Sequence, residues 1–148
     1  VGIMLGLIQR VSYATVEVNG DRVGEIGPGL LLLLGVQAGD SEETAARLLH
    51  KVLNYRIFPD DGNRMNLNLQ QMGGGLMVVS QFTLAADTGK GLRPGFSNAA
   101  PPERAEALYD YFLSRAEHLY SDVASGIFGA NMQVSLCNDG PVTFMLEG

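Results

Sequence analysis

Two short segments hold the residues best placed for chemistry: Ser80-Gln81-Phe82-Thr83 and Asn138-Asp139-Gly140-Pro141-Val142-Thr143. The first sets two hydroxyls and a carboxamide at the end of the apolar run Leu76 to Val79. A hydroxyl nucleophile needs a base beside it. The chain has only His50 and His118, both inside segments with helical spacing, and no Gly-x-Ser-x-Gly elbow. One cysteine and two scattered histidines make a poor zinc set. The run Gly73-Gly74-Gly75 lacks the Lys and Ser/Thr of a phosphate loop and precedes a strand, so it reads as a turn. An enzyme with this inventory works through backbone donors, positioning and a group supplied by its substrate. Taken singly, Ser80 to Thr83 is a strand end and Gly140-Pro141 is a turn.

The elements that must position these segments are legible from periodicity. Leu5 to Val18 is strand-like, and Asn19-Gly20 is a hairpin turn leading to a return strand over Arg22 to Ile26. Gly27-Pro28-Gly29 ends that strand. Leu30 to Val36 is apolar throughout, as in a strand buried on both faces. Asp40 or Ser41 can cap a helix whose apolar face is Ala45, Leu48, Leu49, Val52 and Leu53. Arg56 to Phe58 reads as a short strand, Pro59 to Gly62 as a turn, and Asn66 to Leu69 as an alternating stretch. Leu76 to Phe82 is a second buried strand that delivers Ser80 to Thr83 at its end. A long loop follows, from about residue 86 to 100, of a length usually tied to function. Pro101-Pro102 opens a second helix over Glu103 to Leu119, with Ala105, Leu108, Phe112 and Leu113 facing the core. Residues 121–131 carry no clear pattern. Met132 to Leu136 alternates as a half-buried strand, Asn138 to Pro141 is turn chemistry, and Val142 to Leu146 closes the sheet. The expected fold is therefore α+β: a mixed, largely antiparallel, barrel-like sheet with two main helices on one side.

Bulk properties agree with a single folded unit over residues 4–148, with residues 1–3 read as an extension ahead of a natural start at Met4. At 46% hydrophobic and 18% charged residues the chain is globular rather than disordered. Its lone Cys137 has no internal disulfide partner, which suits a reducing, cytoplasmic compartment. No apolar run reaches the roughly 18 residues of a membrane span. The net charge of −6 argues against DNA or RNA coating the whole surface, because such binding relies on many phosphate contacts. It leaves room for a local basic site, and Lys90 and Arg93 share a Gly-rich loop with no acid after Asp87. By composition alone that loop is a solvated connection.

The combination of segments is more specific than any one of them. Leu76-Met77-Val78-Val79-Ser80-Gln81-Phe82-Thr83-Leu84 occurs with Met132 to Thr143, with Arg93-Pro94-Gly95-Phe96-Ser97 and Ala105 to Phe112 between them, and Leu7-Ile8-Gln9-Arg10-Val11 near the start. This pattern resembles the bacterial D-aminoacyl-tRNA deacylase family, also called D-tyrosyl-tRNA deacylase, over essentially the whole chain from Met4. Ser-Gln-Phe-Thr and Gly-Pro-Val-Thr are that family's two characteristic elements, and both are intact.

The resemblance implies hydrolysis of the ester between a D-amino acid and the 3′ end of tRNA, without cofactor or metal. It implies a homodimer with its active sites at the subunit interface. Gly140-Pro141 would carry a cis peptide bond and reach into the partner's pocket, holding the substrate ammonium and rejecting L side chains by contact. Glycine, being achiral, would escape that filter. Backbone N–H groups near Phe82 and Thr83 would stabilise the oxyanion, with Ser80 and Gln81 shaping the pocket and the ribose 2′-hydroxyl assisting water. Arg10 is either a strand-edge charge or a partner of the Gly-Pro carbonyls. Met132 is either core or a wall for the terminal adenosine, and Asn138 joins the substrate-binding set. Two alternatives stand beside this reading: a non-catalytic dimeric RNA-binding module, and a hydrolase with Thr83 as nucleophile.

Overall fold

A computed structural model describes residues 3–148; Val1 and Gly2, part of the expected N-terminal extension, lie outside the described residues. The sheet is organised by β1 (Leu5–Val18), which pairs antiparallel with β2 (Asp21–Ile26) and β3 (Gly29–Gly35) on one edge and with β8 (Gln133–Glu147) on the other. The expected hairpin joins β1 to β2, with Asn19 and Gly20 at φ 53° and 83°, the two positive values that such a turn demands. β6 (Gly75–Ser80) pairs parallel with β3, and β7 (Val123–Ser125) pairs parallel with β6. The sheet is thus mixed and mostly antiparallel, as expected.

β3 and β6 are buried on both faces because alternate residues serve two cores. Leu30, Leu32, Leu34, Leu76 and Val78 meet α1 (Glu42–Asn54) and α3 (Pro102–Leu119) through Leu48, Val52, Leu108 and Phe112. Leu31, Met77 and Val79 point the other way, against Val11, Ala14, Val16 and Ile26 inside the curled sheet. Each of these side chains contributes roughly 1.5–3 kcal/mol by full burial. The sheet curls until β2 abuts β7: a Cβ on Gly24 would stand 2.7 Å from the Ser125 carbonyl. At the other end of the β3–β6 ladder a Cβ on Gly29 would meet the Gly75 carbonyl at 2.0 Å, so only glycine permits that approach.

Ser41 caps α1, its hydroxyl accepting from the Thr44 amide (3.4 Å) while the Thr44 hydroxyl accepts from the Ser41 amide (3.0 Å). Asp40, the other expected cap, sits one residue earlier. It is buried, and burial pushes its carboxyl up from the ordinary value, opposed by the Gln37 amide at 2.7 Å and the Thr44 hydroxyl at 3.0 Å.

Four local expectations need correction. The strand expected at Arg56 to Phe58 is β4 (Phe58–Pro59), which pairs with β5 (Met65–Leu67). The alternation at Asn66 to Leu69 runs straight into a one-turn helix, α2 (Leu69–Met72), capped by an Asn68/Gln71 box and closed by Gly73 at φ 74°. β6 stops at Ser80, and Phe82–Ala85 form a 3₁₀ turn, so Phe82 and Thr83 belong to the turn rather than the strand. The fourth is the expected turn at Asn138 to Pro141, which is an interruption inside the single strand β8. Gln9 faces Thr143 and Val11 faces Asn138, so Arg10 alone stands opposite four residues. Among the described residues no helix is long and apolar enough to cross a membrane.

Ser41→Ala removes one cap and should lower unfolding free energy by about 1 kcal/mol. Gly29→Ala forces β3 and β6 apart and should cost about 3 kcal/mol or more. Urea midpoints of the two variants test that order.

Candidate active site

The end of β6 opens into a cavity of about 710 Å³. Ser80, Gln81 and Phe82 form one side, and Met132 and Val134 of the β8 approach form another. The floor includes Val79, Tyr109 and Phe128, and the rim is the stretch from Phe96 to Pro102. The volume lies within the usual range for small-molecule sites. Phe82 and Phe96 meet at the mouth with ring centroids 5.1 Å apart, each ring substantially exposed at 59% and 41%.

Among the lining residues Tyr109 is the one ionisable group. Its hydroxyl donates to the Val78 carbonyl at 3.3 Å, and burial pushes its phenol up from the ordinary value. It therefore stays protonated near neutral pH and offers no general base. His50 and His118 lie exposed on α1 and α3, as expected, and border other hollows. Catalysis in the cavity falls to dipoles and hydrogen bonds.

The 3₁₀ turn supplies the dipoles. The Gln81 amide donates to the Leu34 carbonyl (2.8 Å), which ties the turn to β3. The first amide within the turn to reach back is that of Leu84, to the Gln81 carbonyl at 3.2 Å. The amides of Phe82 and Thr83 precede it, where a helical turn has no acceptor of its own. The Gln81 carboxamide donates to the Thr83 hydroxyl. A carboxamide orients that hydroxyl but cannot take its proton.

The second segment sits elsewhere. Thr83, Arg10, Asn138, Gly140 and Pro141 are not among the residues that line the cavity, whereas Ser80, Gln81, Phe82 and Met132 are. Gly140 and Pro141 are exposed, and their peptide bond is cis. Four residues opposite one leave the ladder short of partners, and two side chains replace them. Arg10 Nε donates to the Asp139 carbonyl at 3.0 Å and Arg10 Nη1 to the Ile57 carbonyl at 2.8 Å. The Asp139 carboxylate lies 3.6 Å from Arg10 Nε. Asn138 closes the base of the excursion: its side-chain Oδ1 accepts from the Val142 backbone amide (3.0 Å), and its Nδ2 donates to the Thr143 hydroxyl (2.9 Å). Hydrogen bonds to a charged group are worth about 1.5–3 kcal/mol each, so Arg10 fixes the Gly140-Pro141 ridge firmly.

The ridge rises on a face that the chain itself leaves uncovered. Among the described residues β8 pairs only with β1, so its outer edge has no strand partner there. Tyr13, Tyr55, Phe144 and Met145 are exposed around it, with Tyr55 and Phe144 rings 5.9 Å apart. Long open edges with apolar side chains are sites of association.

Sequence reasoning flagged the loop of about residues 86 to 100, which includes Ala99 and Ala100, but did not single out Tyr109 or Phe128 as site residues. Tyr109 had a usable signal: it follows Ala105 by four residues and so shares its helix face. Residues 127–130 carried none, because their place depends on β7 pairing with β6.

Gly140 has φ +139°, and a Cβ there would lie 2.6 Å from Val142 Cγ2 and 2.9 Å from the Val142 nitrogen. Gly140→Ala should cost about 1–3 kcal/mol. Gly91→Ala, also at positive φ (+64°) but in open space, should cost about 1 kcal/mol or less. Chemical denaturation of both variants measures the difference.

Comparison with known proteins identifies the family and the fold. Residues 7–147 match the family described as D-Tyr-tRNA(Tyr) deacylase. A D-aminoacyl-tRNA deacylase of Cellvibrio japonicus is 64% identical over 144 residues, covering 97% of this chain and 99% of that protein. The protein of the same description from Cronobacter sakazakii is 60% identical over the same length and shares. Among solved structures, the c-Myc DNA Unwinding Element Binding Protein superposes with TM-score 0.93 at 37% identity, over 97% of this chain and 98% of its own. A probable eukaryotic D-amino acid tRNA deacylase shares the fold, with TM-score 0.85 at 18% identity over 98% and 99%. With the family match spanning nearly its whole length, the chain belongs to the D-aminoacyl-tRNA deacylase family.

Proposed function

We propose that the chain hydrolyses the ester linking a D-amino acid, and also glycine, to the 3′-terminal ribose of tRNA, as a proofreading step in the cytoplasm. The observation that carries this reading is the cavity at the end of β6: it has room for the aminoacyl end and no ionisable side chain other than Tyr109. A site so lined suits an ester, which is activated enough to need only orientation, an oxyanion partner and a relayed proton.

The aminoacyl carbonyl sits against the start of the 3₁₀ turn, where the Phe82 and Thr83 amides receive its developing negative charge. Water adds to the carbonyl carbon, the bond from that carbon to the ribose 3′-oxygen breaks, and the 3′-oxygen leaves with a proton relayed by the neighbouring 2′-hydroxyl. Ser80 and Gln81 shape the wall beside the reacting carbon, and Gln81 holds Thr83 as a structural hydroxyl. Met132 flanks the terminal adenosine.

The chiral filter is Gly140-Pro141, with Arg10 and Asn138 holding it in place. Its carbonyls take the substrate ammonium, and its wall excludes an L side chain while leaving a D side chain unread. Because the ridge is not part of its own chain's cavity, it serves a second copy. The open β8 edge and its exposed aromatics support a homodimer with the active sites at the interface.

Incubation with D-tyrosyl-tRNA and L-tyrosyl-tRNA tests the reading. Release of D-tyrosine with L-tyrosyl-tRNA left intact is the expected result. Survival of both esters at high protein concentration would leave only an RNA-binding role. Thr83→Ala should lower turnover about fivefold, the scale of one hydrogen bond; a loss of about 10⁴-fold would make Thr83 the nucleophile instead. A tRNA ending in 2′-deoxyadenosine should react at least about 100-fold more slowly, and full-rate hydrolysis of it would refute the 2′-hydroxyl relay.

A further inference from the structure

The deacylase reading accounts for the cavity but not for how an acidic chain holds a polyanion. The chain carries ten Lys and Arg against sixteen Asp and Glu. The segment leading into the cavity rim is an exception. From Thr88 to Pro102 there are two basic residues, Lys90 and Arg93, and no acid. This stretch is not a shapeless connection. Asp87 and Gly95 exchange two backbone hydrogen bonds, of 2.7 and 2.9 Å, and the Asp87 carboxylate accepts from the Gly89 amide at 2.9 Å. Gly91 turns the chain at φ +64°. The result is a small hairpin that starts close to the 3₁₀ turn at Phe82–Ala85 and returns to Phe96 at the cavity mouth.

Its basic side chains are unused by the fold. Arg10 and Arg22 are in ion pairs, and Lys51, Arg56 and Arg104 donate to protein oxygens. Among the described residues neither Lys90 nor Arg93 enters a salt bridge. Both are exposed, and Leu92 between them is fully exposed. Two uncommitted cations on a short hairpin beside a site for a nucleotide end suit one ligand chemistry, a phosphodiester backbone.

Resting on the deacylase reading, we propose that the 87–95 hairpin is the backbone clamp for the tRNA acceptor end. Lys90 and Arg93 bind phosphates just inward of the terminal nucleotide whose ester enters the cavity. An arm of three or four residues reaches on the order of 10 Å, about the rise of three nucleotides at ~3.4 Å each along a strand. The clamp therefore covers the single-stranded end and its junction with the stem, not the body of the tRNA. Few phosphate contacts also reconcile binding with the net charge of −6.

The experiment is a salt series. Fluorescence anisotropy gives the Kd of labelled, uncharged tRNA from low to high KCl, and parallel assays give KM for D-tyrosyl-tRNA. The proteins are wild type, the K90Q/R93Q double variant, and an R47Q/R64Q control with the same charge change outside the hairpin, on α1 and on the turn between β4 and β5. For K90Q/R93Q the slope of log affinity against log salt should flatten by roughly 1.4–1.8, with Kd at low salt and KM weakened at least about tenfold. The control should keep the wild-type slope. An unchanged slope in K90Q/R93Q, or an equal change in the control, overturns the clamp even when wild type turns over normally. Absence of turnover by wild type would instead remove the deacylase reading, and the anisotropy slopes would still decide whether the hairpin binds tRNA.

Discussion

One mismatch in a β ladder shapes this molecule: a single residue of β1, Arg10, faces four residues of β8. The excursion is exposed at Asp139, Gly140 and Pro141, so water can satisfy its outer backbone groups, while side chains must hold its base against β1. Arg10 holds it from one side with a charge-assisted hydrogen bond to the Asp139 carbonyl, anchoring its other end on the Ile57 carbonyl, and Asn138 holds it from the other. The excess chain cannot fold back into the sheet, so it stands out as the Gly140-Pro141 ridge. A lysine at position 10 would present one point charge and could not fork between the Asp139 and Ile57 carbonyls.

The rest of the architecture holds that mismatch and the cavity in fixed relation. β1 carries the ridge through β8 on one edge and carries β3 on the other. β3 in turn pairs with β6, whose end is Ser80, and accepts the Gln81 amide through Leu34. Both sites are therefore connected through continuous ladders, and the β3–β6 part of that connection is buried on two faces. The cavity is apolar and uncharged because it lies where β6, α3 and the approach to β8 meet. Chemistry there depends on aimed dipoles, which a rigid frame supplies and a mobile one does not.

Much of this frame was legible in the sequence. The Asn19-Gly20 hairpin, the doubly buried β3 and β6, and the amphipathic faces of α1 and α3 follow from local pattern. What escaped depends on pairing at a distance. Asn138-Asp139-Gly140-Pro141 reads as a turn because its residues are turn formers, yet turn chemistry inside one strand and between two strands looks the same locally. β7 is three residues of unremarkable composition that become a strand only beside β6. Ser80 does end a buried strand, but the switch from strand to 3₁₀ turn after it was not foreseen, and that switch leaves the Phe82 and Thr83 amides without an acceptor within the turn. The roles of the site residues came from the family resemblance rather than from pattern.

The central claim is that cavity and ridge from two copies make one site. Mixed dimers test it most directly. One copy carries Ser80→Tyr, which fills the cavity, and the other carries Gly140→Ala, which disrupts the ridge; different tags allow isolation of the mixed species. Each parent dimer should be inactive on D-tyrosyl-tRNA. The mixed dimer should recover about half of wild-type turnover, because one of its two sites joins an intact cavity to an intact ridge. A mixed dimer as inactive as both parents would contradict the account.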